Sequence, residues 1–346
     1  MIIRVAHVNK VSNKPEDVVV GSKVLLIAGP SHIHGDILKT IAPFVGENTW
    51  VGTVYGQGAF DLQARYIFQD KLAKKNITIF ALQNVPFICK IIEYGKSINI
   101  IGPKDHLYCA SYPPERVDEI ANIISLLYYI PTVTIPNFLC ITLTPSNQII
   151  HPGRVYAIFK DWDGKSPYNP KLVPRLYDLD EESAKEIQLL DDEIQAIKKA
   201  IIMHYPSIDL SLLLPIKERI IKQYSDQIKD KSTLQSVFST NSGYDILVFP
   251  TKQVKGGLIP NVESRFFWED IPYGLCILKN IGDIFGVPMP NTERIIKWHQ
   301  QFMGVKYLDS DDKLVNERLT GAPAKYGYNT KDELVATSLR KPLTKL

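Results

Sequence analysis

The motif His151-Pro152-Gly153 and the block Ser264-Arg265-Phe266-Phe267-Trp268-Glu269-Asp270-Ile271-Pro272-Tyr273-Gly274 place an imidazole, a guanidinium and a carboxylate in one chain. An imidazole titrates near neutrality and serves as general acid or base. A guanidinium grips a carboxylate in two-point fork geometry, and a carboxylate beside an imidazole orients it. Together these are the groups needed to reduce an imine flanked by carboxylates. Each also has a plain structural use: His151 can cap or pack at a helix start, Arg265 can be a surface cation, and Asp270 can cap a helix beginning near Pro272.

The elements that must position them are legible as two patterns. Residues 23 to 28 form a short apolar run, the mark of a strand buried on both faces in a parallel sheet, and Gly29-Pro30-Ser31 breaks it. Helical spacing over 33 to 45 and a strand over 49 to 54 complete a β-α-β rhythm. A second unit leads from Gln57 through an amphipathic stretch, 62 to 72, to a strand over 77 to 82. Such alternation predicts a right-handed, mostly parallel sheet with ligands at the carboxyl ends of its strands. Two short strand candidates separated by Gly102-Pro103, a helix over 114 to 129 and a strand over 131 to 135 close this part.

After Pro145 the pattern turns helical. Ile187, Leu190, Ile194, Ile197 and Ile201 form one apolar stripe on a helix that Pro206 ends. Further helices are expected over 212 to 229, 272 to 285 and 291 to 303. The one starting at Pro272 has Gly286 and Pro288 just past its end. The polar tail from Asp309 to Leu346, with Tyr326-Gly327-Tyr328, is expected to wrap the surface.

Composition narrows the function classes. A length of 346 residues with 45% apolar content suits two domains with real cores. The charge of +3, from 40 basic and 37 acidic residues spread along the chain, contains no basic stripe of the kind nucleic acid requires; anionic small molecules fit as partners. Cys89, Cys109, Cys140 and Cys276 lie far apart with no CxxC pair, which argues against zinc and against a disulfide framework and suits a reducing cytoplasm. No apolar run approaches the ~20 residues that span a bilayer, and no secretory leader pattern is seen. His32 and His34 lack an acidic or cysteine cluster, so no metal site is expected. Gly56-Gln57-Gly58 lacks the third glycine of a dinucleotide turn and reads as a flexible loop presenting Gln57 into a cleft.

With these residues in order, the chain resembles the opine dehydrogenases, the octopine dehydrogenase-like group. The resemblance covers Val24 to Pro43, Pro86-Phe87-Ile88-Cys89-Lys90, His151-Pro152-Gly153, Ser239-Thr240-Asn241, Arg265 through Gly274 and Lys325-Tyr326-Gly327-Tyr328-Asn329-Thr330. It implies an α/β plus all-α fold: an incomplete Rossmann-type NAD-binding domain over 1–140, then a helical substrate domain over 145–346 of the 6-phosphogluconate dehydrogenase C-terminal-like kind. Such enzymes join an amino acid to a 2-keto acid, commonly pyruvate, and reduce the imine with NADH, without a metal. On that resemblance His151 is the catalytic histidine and Asp270 its partner. Arg265 and Gln57 bind the keto acid, Asn84 and Cys89 belong to the substrate side, and Gly29, Pro30 and Ser31 line the nicotinamide side.

The chain also departs from the family. The glycine-rich turn that holds the pyrophosphate is absent, and the matching portion begins near Val11, which implies about 60 further residues, two βα units, in front of Met1. The expectation is an incomplete gene model or fragment whose strand over 24 to 28 has lost a neighbour. The alternative is a non-catalytic remnant that no longer binds the cofactor. Where octopine-type members carry an acidic residue and a threonine, Gln83 and Asn84 stand here, and Arg219 stands in place of an aromatic. A smaller or more acidic amine follows, such as glycine, alanine, β-alanine or taurine. A ketopantoate or glycerol-phosphate type of dehydrogenase fits the Arg265 to Gly274 block less well, and the sequence leaves the oligomeric state open.

Overall fold

The structure, a computed structural model, describes residues 7–244 and 247–336. Strands β1 (Val24–Ile27), β2 (Trp50–Thr53) and β3 (Thr78–Leu82) run parallel, in a register that sets Val24 beside Trp50 and Trp50 beside Thr78. The chain then forms an antiparallel hairpin, β4 (Ile88–Glu93) with β5 (Ser97–Ile101), before β6 (Leu107–Tyr112) and β7 (Thr132–Thr134) complete a five-stranded sheet of order β1-β2-β3-β6-β7. The sheet is mostly parallel, as expected, but reverses where β6 pairs antiparallel with β3. Parallel neighbours need a long crossover, usually a helix. The connection from β3 to β6 carries only the hairpin, so the chain returns antiparallel.

Period-2 alternation splits the buried residues of the sheet between its two faces. Val51, Ile79 and Ala81 pack with Leu38, Phe60 and Leu62 from the helices His34–Ile41 and Phe60–Phe68. Trp50, Phe80 and Leu82 pack with Ile120 and Ile124 of the helix Val117–Tyr128. Gly52 is required between them, because a Cβ there would lie 2.4 Å from the Phe80 ring. β1 is one of the two edge strands, with Ile27 alone of its residues buried.

In the second half the helix Glu181–His204 is the axis. All five residues of its stripe, from Ile187 to Ile201, are fully buried, and Asp180 caps it by accepting from the Ser183 amide at 2.8 Å. The helices Asn147–Phe159, Cys276–Phe285 and Pro290–Gln300 pack around this axis. The helix expected over 212 to 229 is shorter, Ile216–Tyr224. The segment starting at Pro272 opens as a π-helical turn, Ile271–Leu275, and Gly286 in the left-handed region ends its helix. A hairpin that the sequence did not foreshadow, β8 (Thr251–Val254) with β9 (Gly257–Pro260), also lies in this half. Residues 309–336 do wrap the surface, tied back by the Gly321 amide donating to the Pro272 carbonyl at 2.9 Å. Residues 337–346 of the expected tail lie outside the described residues.

Because Ile194 sits at the centre of the stripe with no exposure, Ile194→Ala is expected to cost about 2–4 kcal/mol of unfolding free energy in a urea titration. A loss under about 1 kcal/mol would show that the helix is not the axis of this half.

Candidate active site

His151 lies inside the helix Asn147–Phe159, one turn in, and not at its start. Asp270 immediately precedes the π-helical turn. The imidazole Nδ1 meets Asp270 Oδ2 at 2.8 Å, and Nε2 meets the Tyr177 hydroxyl at 3.3 Å. Phe266 lies flat on the ring, 3.7 Å between centroids and 9° between planes. His151 and Asp270 are both almost completely buried, so burial resists charge on each. It pushes the imidazole well below its ordinary value, helped by Arg265, and pushes the Asp270 carboxyl up, opposed by Arg265. The imidazole is therefore neutral at neutral pH and able to take a proton.

Two glycines allow this meeting. A Cβ on Gly274 would lie 2.5 Å from Gln148 Cβ, and one on Gly153 would lie 3.1 Å from Ile187 Cγ1. The first lets the π-helical turn press on the His151 helix; the second seats that helix on the axis. One residue further, Arg154 is fully buried and donates to the carbonyls of Arg175, Leu176 and Asp178 and to Ser183 Oγ. Its fork thus holds the loop that carries Tyr177 over the imidazole.

A cavity of about 690 Å³ opens on this pair, at the carboxyl ends of β1 and β2 and against the helical half. Of the expected site residues, His151, Arg265, Asn84, Cys89, Gly29 and Pro30 line it. Arg265 is half exposed there, with Nη1 3.9 Å from Glu269 Oε2. Three expected residues stand otherwise. Asp270 supports His151 from behind. Ser31 is buried off the cavity, its amide donating to Glu269 Oε1 at 2.7 Å. Gln57 is buried too: its Oε1 accepts from the Tyr55 hydroxyl at 2.5 Å and its Nε2 donates to the Thr144 carbonyl at 3.0 Å. The loop around Gln57 is packed, not flexible, since a Cβ on Gly56 would meet Ala81 at 2.6 Å and one on Gly58 would meet Ser31 at 2.6 Å. Tyr55, not Gln57, reaches the cavity.

Tyr55, Tyr177 and Glu269 were missed by sequence reasoning. Glu269 had a signal, since it lies beside Asp270 in the same block; the tyrosines have none short of the fold. His34, near the first loop, belongs to packing: it is buried edge-on to Phe60, and its Nε2 donates to the Gly29 carbonyl at 3.0 Å.

Comparison with known proteins finds related dehydrogenases. The sequence model described as NAD/NADP octopine/nopaline dehydrogenase, alpha-helical domain, matches residues 134–303. An opine dehydrogenase of Haliotis discus hannai is 32% identical over 333 residues, covering 94% of this chain and 81% of the relative. A tauropine dehydrogenase of Arabella iricolor is 32% identical over 337 residues, covering 94% of this chain and 82% of the relative. Octopine dehydrogenase solved with NADH and L-arginine superposes with a TM-score of 0.82 at 25% identity, over 99% of this chain and 84% of that one. Its complex with NADH and pyruvate gives 0.80 at 25% identity, over 95% and 81%.

Two outcomes follow from the geometry. Gly274→Ala, which must part the His151 helix from the Asp270 turn, should cost about 1–3 kcal/mol in denaturant melts; a neutral substitution would contradict the contact. Burial holds His34 at about 4, below its ordinary 6.5. Its contribution to stability is whole above pH 6.5 and is lost as pH falls toward 4, about 2 kcal/mol by pH 5. His34→Gln should flatten that fall in melts at pH 7 and 5, and an unchanged slope would refute it.

Proposed function

This chain belongs to the opine dehydrogenase family, and from that premise we propose that it condenses an amino acid with a 2-keto acid, pyruvate, and reduces the imine with NADH to an opine. The observation that carries the reading is the buried His151–Asp270 pair, with Nε2 turned toward Tyr177 and Arg265 across the same cavity. The division into a sheet domain over 1–140 and a helical domain over 145–346, and action in the cytoplasm, belong to the same proposal. Among the described residues no helix is long and apolar enough to cross a membrane.

The roles follow from the groups. The amine must attack the keto carbon as the free base. His151, neutral because it is buried, takes the proton lost by the attacking nitrogen on Nε2. Asp270 on Nδ1 fixes the tautomer and steadies the imidazolium. That proton is handed to the former keto oxygen to give the carbinolamine; a second proton, drawn from solvent through Nε2, lets the hydroxyl leave as water, and the protonated imine remains. Arg265 binds the keto-acid carboxylate, with Glu269 at 3.9 Å setting its orientation. Tyr177 restrains Nε2 until substrate arrives.

When bound, NADH supplies the hydride to the imine carbon. The residues present fit the nicotinamide end: Ala28, Gly29 and Pro30, at the carboxyl end of β1, line the cavity beside His151. A glycine-rich pyrophosphate turn is not found in the chain.

The test is NADH oxidation dependent on both pyruvate and an amino acid. His151→Ala should lower kcat by about 10²–10⁴-fold, and Arg265→Gln should raise KM for pyruvate more than KM for the amine. Activity that survives His151→Ala, or oxidation that needs no amine, would contradict the proposal. A folded, monodisperse chain giving no calorimetric signal with NADH would contradict the cofactor step.

A further inference from the structure

Besides Arg265, two cations line the cavity, Lys104 and Arg219, each only 6% exposed. Burying a cation is costly unless it is paired. Among the described residues no ion pair to a carboxylate is made by either. Lys104 Nζ donates to the Val85 carbonyl at 2.5 Å and stands 5.5 Å from the Tyr224 ring centre. Arg219, from the helix Ile216–Tyr224, donates through Nη1 to Gln223 Oε1 at 2.6 Å, while its Nε is buried without a partner.

The surroundings explain what is missing. Tyr55, Tyr224 and Tyr244 interact with the Arg219 charge, and Asp191 does so more weakly. Asp191 is already engaged, accepting from the Ile216 amide at 2.9 Å and from Gln195 Nε2 at 3.0 Å. Burial, then repulsion by Arg219, brings Lys104 down to about 7. Two like charges sharing a buried wall call for an anion between them. Among the described residues Glu269 is the one carboxylate lining the cavity, and it is held by the Ser31 amide and Arg265. Among the described residues a guanidinium tail would find no free counter-charge here. Gln83, at one of the positions where a carboxylate would suit such a tail, is turned to Thr144 Oγ1 at 2.8 Å.

We propose that Arg219 and Lys104 form a second anion subsite that holds the acid group of the amine donor, so that this donor ends in a carboxylate or sulfonate and not in a cation. The inference rests on the opine-forming reading of the site, and it assigns the two acid groups of the reaction to different cations: the keto acid to Arg265, the amine donor to Arg219 with Lys104.

The experiment is calorimetric titration of the full chain, with and without saturating NADH, using 2-aminoethanesulfonate, 2-aminoethanol and agmatine. The sulfonate should bind at least about tenfold more tightly than the alcohol, and agmatine most weakly. Arg219→Gln and Lys104→Met should each remove most of that preference, while Arg265→Gln keeps it. Melting curves identify any variant that fails to fold, and Lys104→Met decides the matter should Arg219→Gln do so. Equal binding of sulfonate and alcohol, tighter binding of agmatine, or a preference intact in the folded variants would overturn the subsite. A preference that depends on Arg219, in a chain that turns over no pair of keto acid and amine, would leave the subsite standing and remove the opine-forming reading instead.

Discussion

The contact between His151 Nδ1 and Asp270 Oδ2, 2.8 Å long and almost wholly dry, is the constraint on which the rest of the molecule turns. Neither group is at ease there, because burial resists charge on both, and their mutual hydrogen bond offsets part of the cost of dehydration. The partners stand 119 positions apart in the chain. Holding them together requires a rigid axis, the Glu181–His204 helix, and two positions where backbone meets neighbour without a Cβ, Gly153 and Gly274. Arg154 then fixes the loop that brings Tyr177 to the free ring nitrogen, and Phe266 covers the ring face.

The sheet contributes the other wall. Its strands end at the cavity, where Gly29 and Pro30 leave a flat backbone surface, and the two halves are joined by the Ser31 amide on Glu269, 238 positions away. That bond places the carboxylate between Arg265 and the first loop. The site is thus assembled across the two halves, and among the described residues its charges are distributed unevenly: one lining carboxylate against the cations Arg265, Arg219 and Lys104. Such a cavity is built to receive acids.

How much of this was legible depended on whether the signal was local. The apolar stripe from Ile187 to Ile201 and the β-α-β rhythm follow from periodicity and appear as read. His151, Asp270 and Arg265 were marked by short motifs, and the structure brings all three together. Gln57 was misplaced because glycine neighbours suggest flexibility, whereas here they serve close packing, and its carboxamide is consumed by Tyr55 and Thr144. The reversal of β6 was hidden because no residue pattern distinguishes a hairpin from a crossover until the intervening segment folds. Tyr177 and Tyr55 carry no motif at all. Arg219 was visible as a departure, but its partnerless Nε was not, since that is a property of the wall it sits in.

The account is tested most directly by the nitrogen chemical shifts of the His151 imidazole, followed by NMR as a function of pH in the full chain. A neutral ring protonated on Nδ1, with Nε2 bare and no titration until well below pH 6.5, is the expected result. A ring that titrates at or above its ordinary value, or that carries its proton on Nε2 at neutral pH, would contradict the buried pair at the centre of this structure.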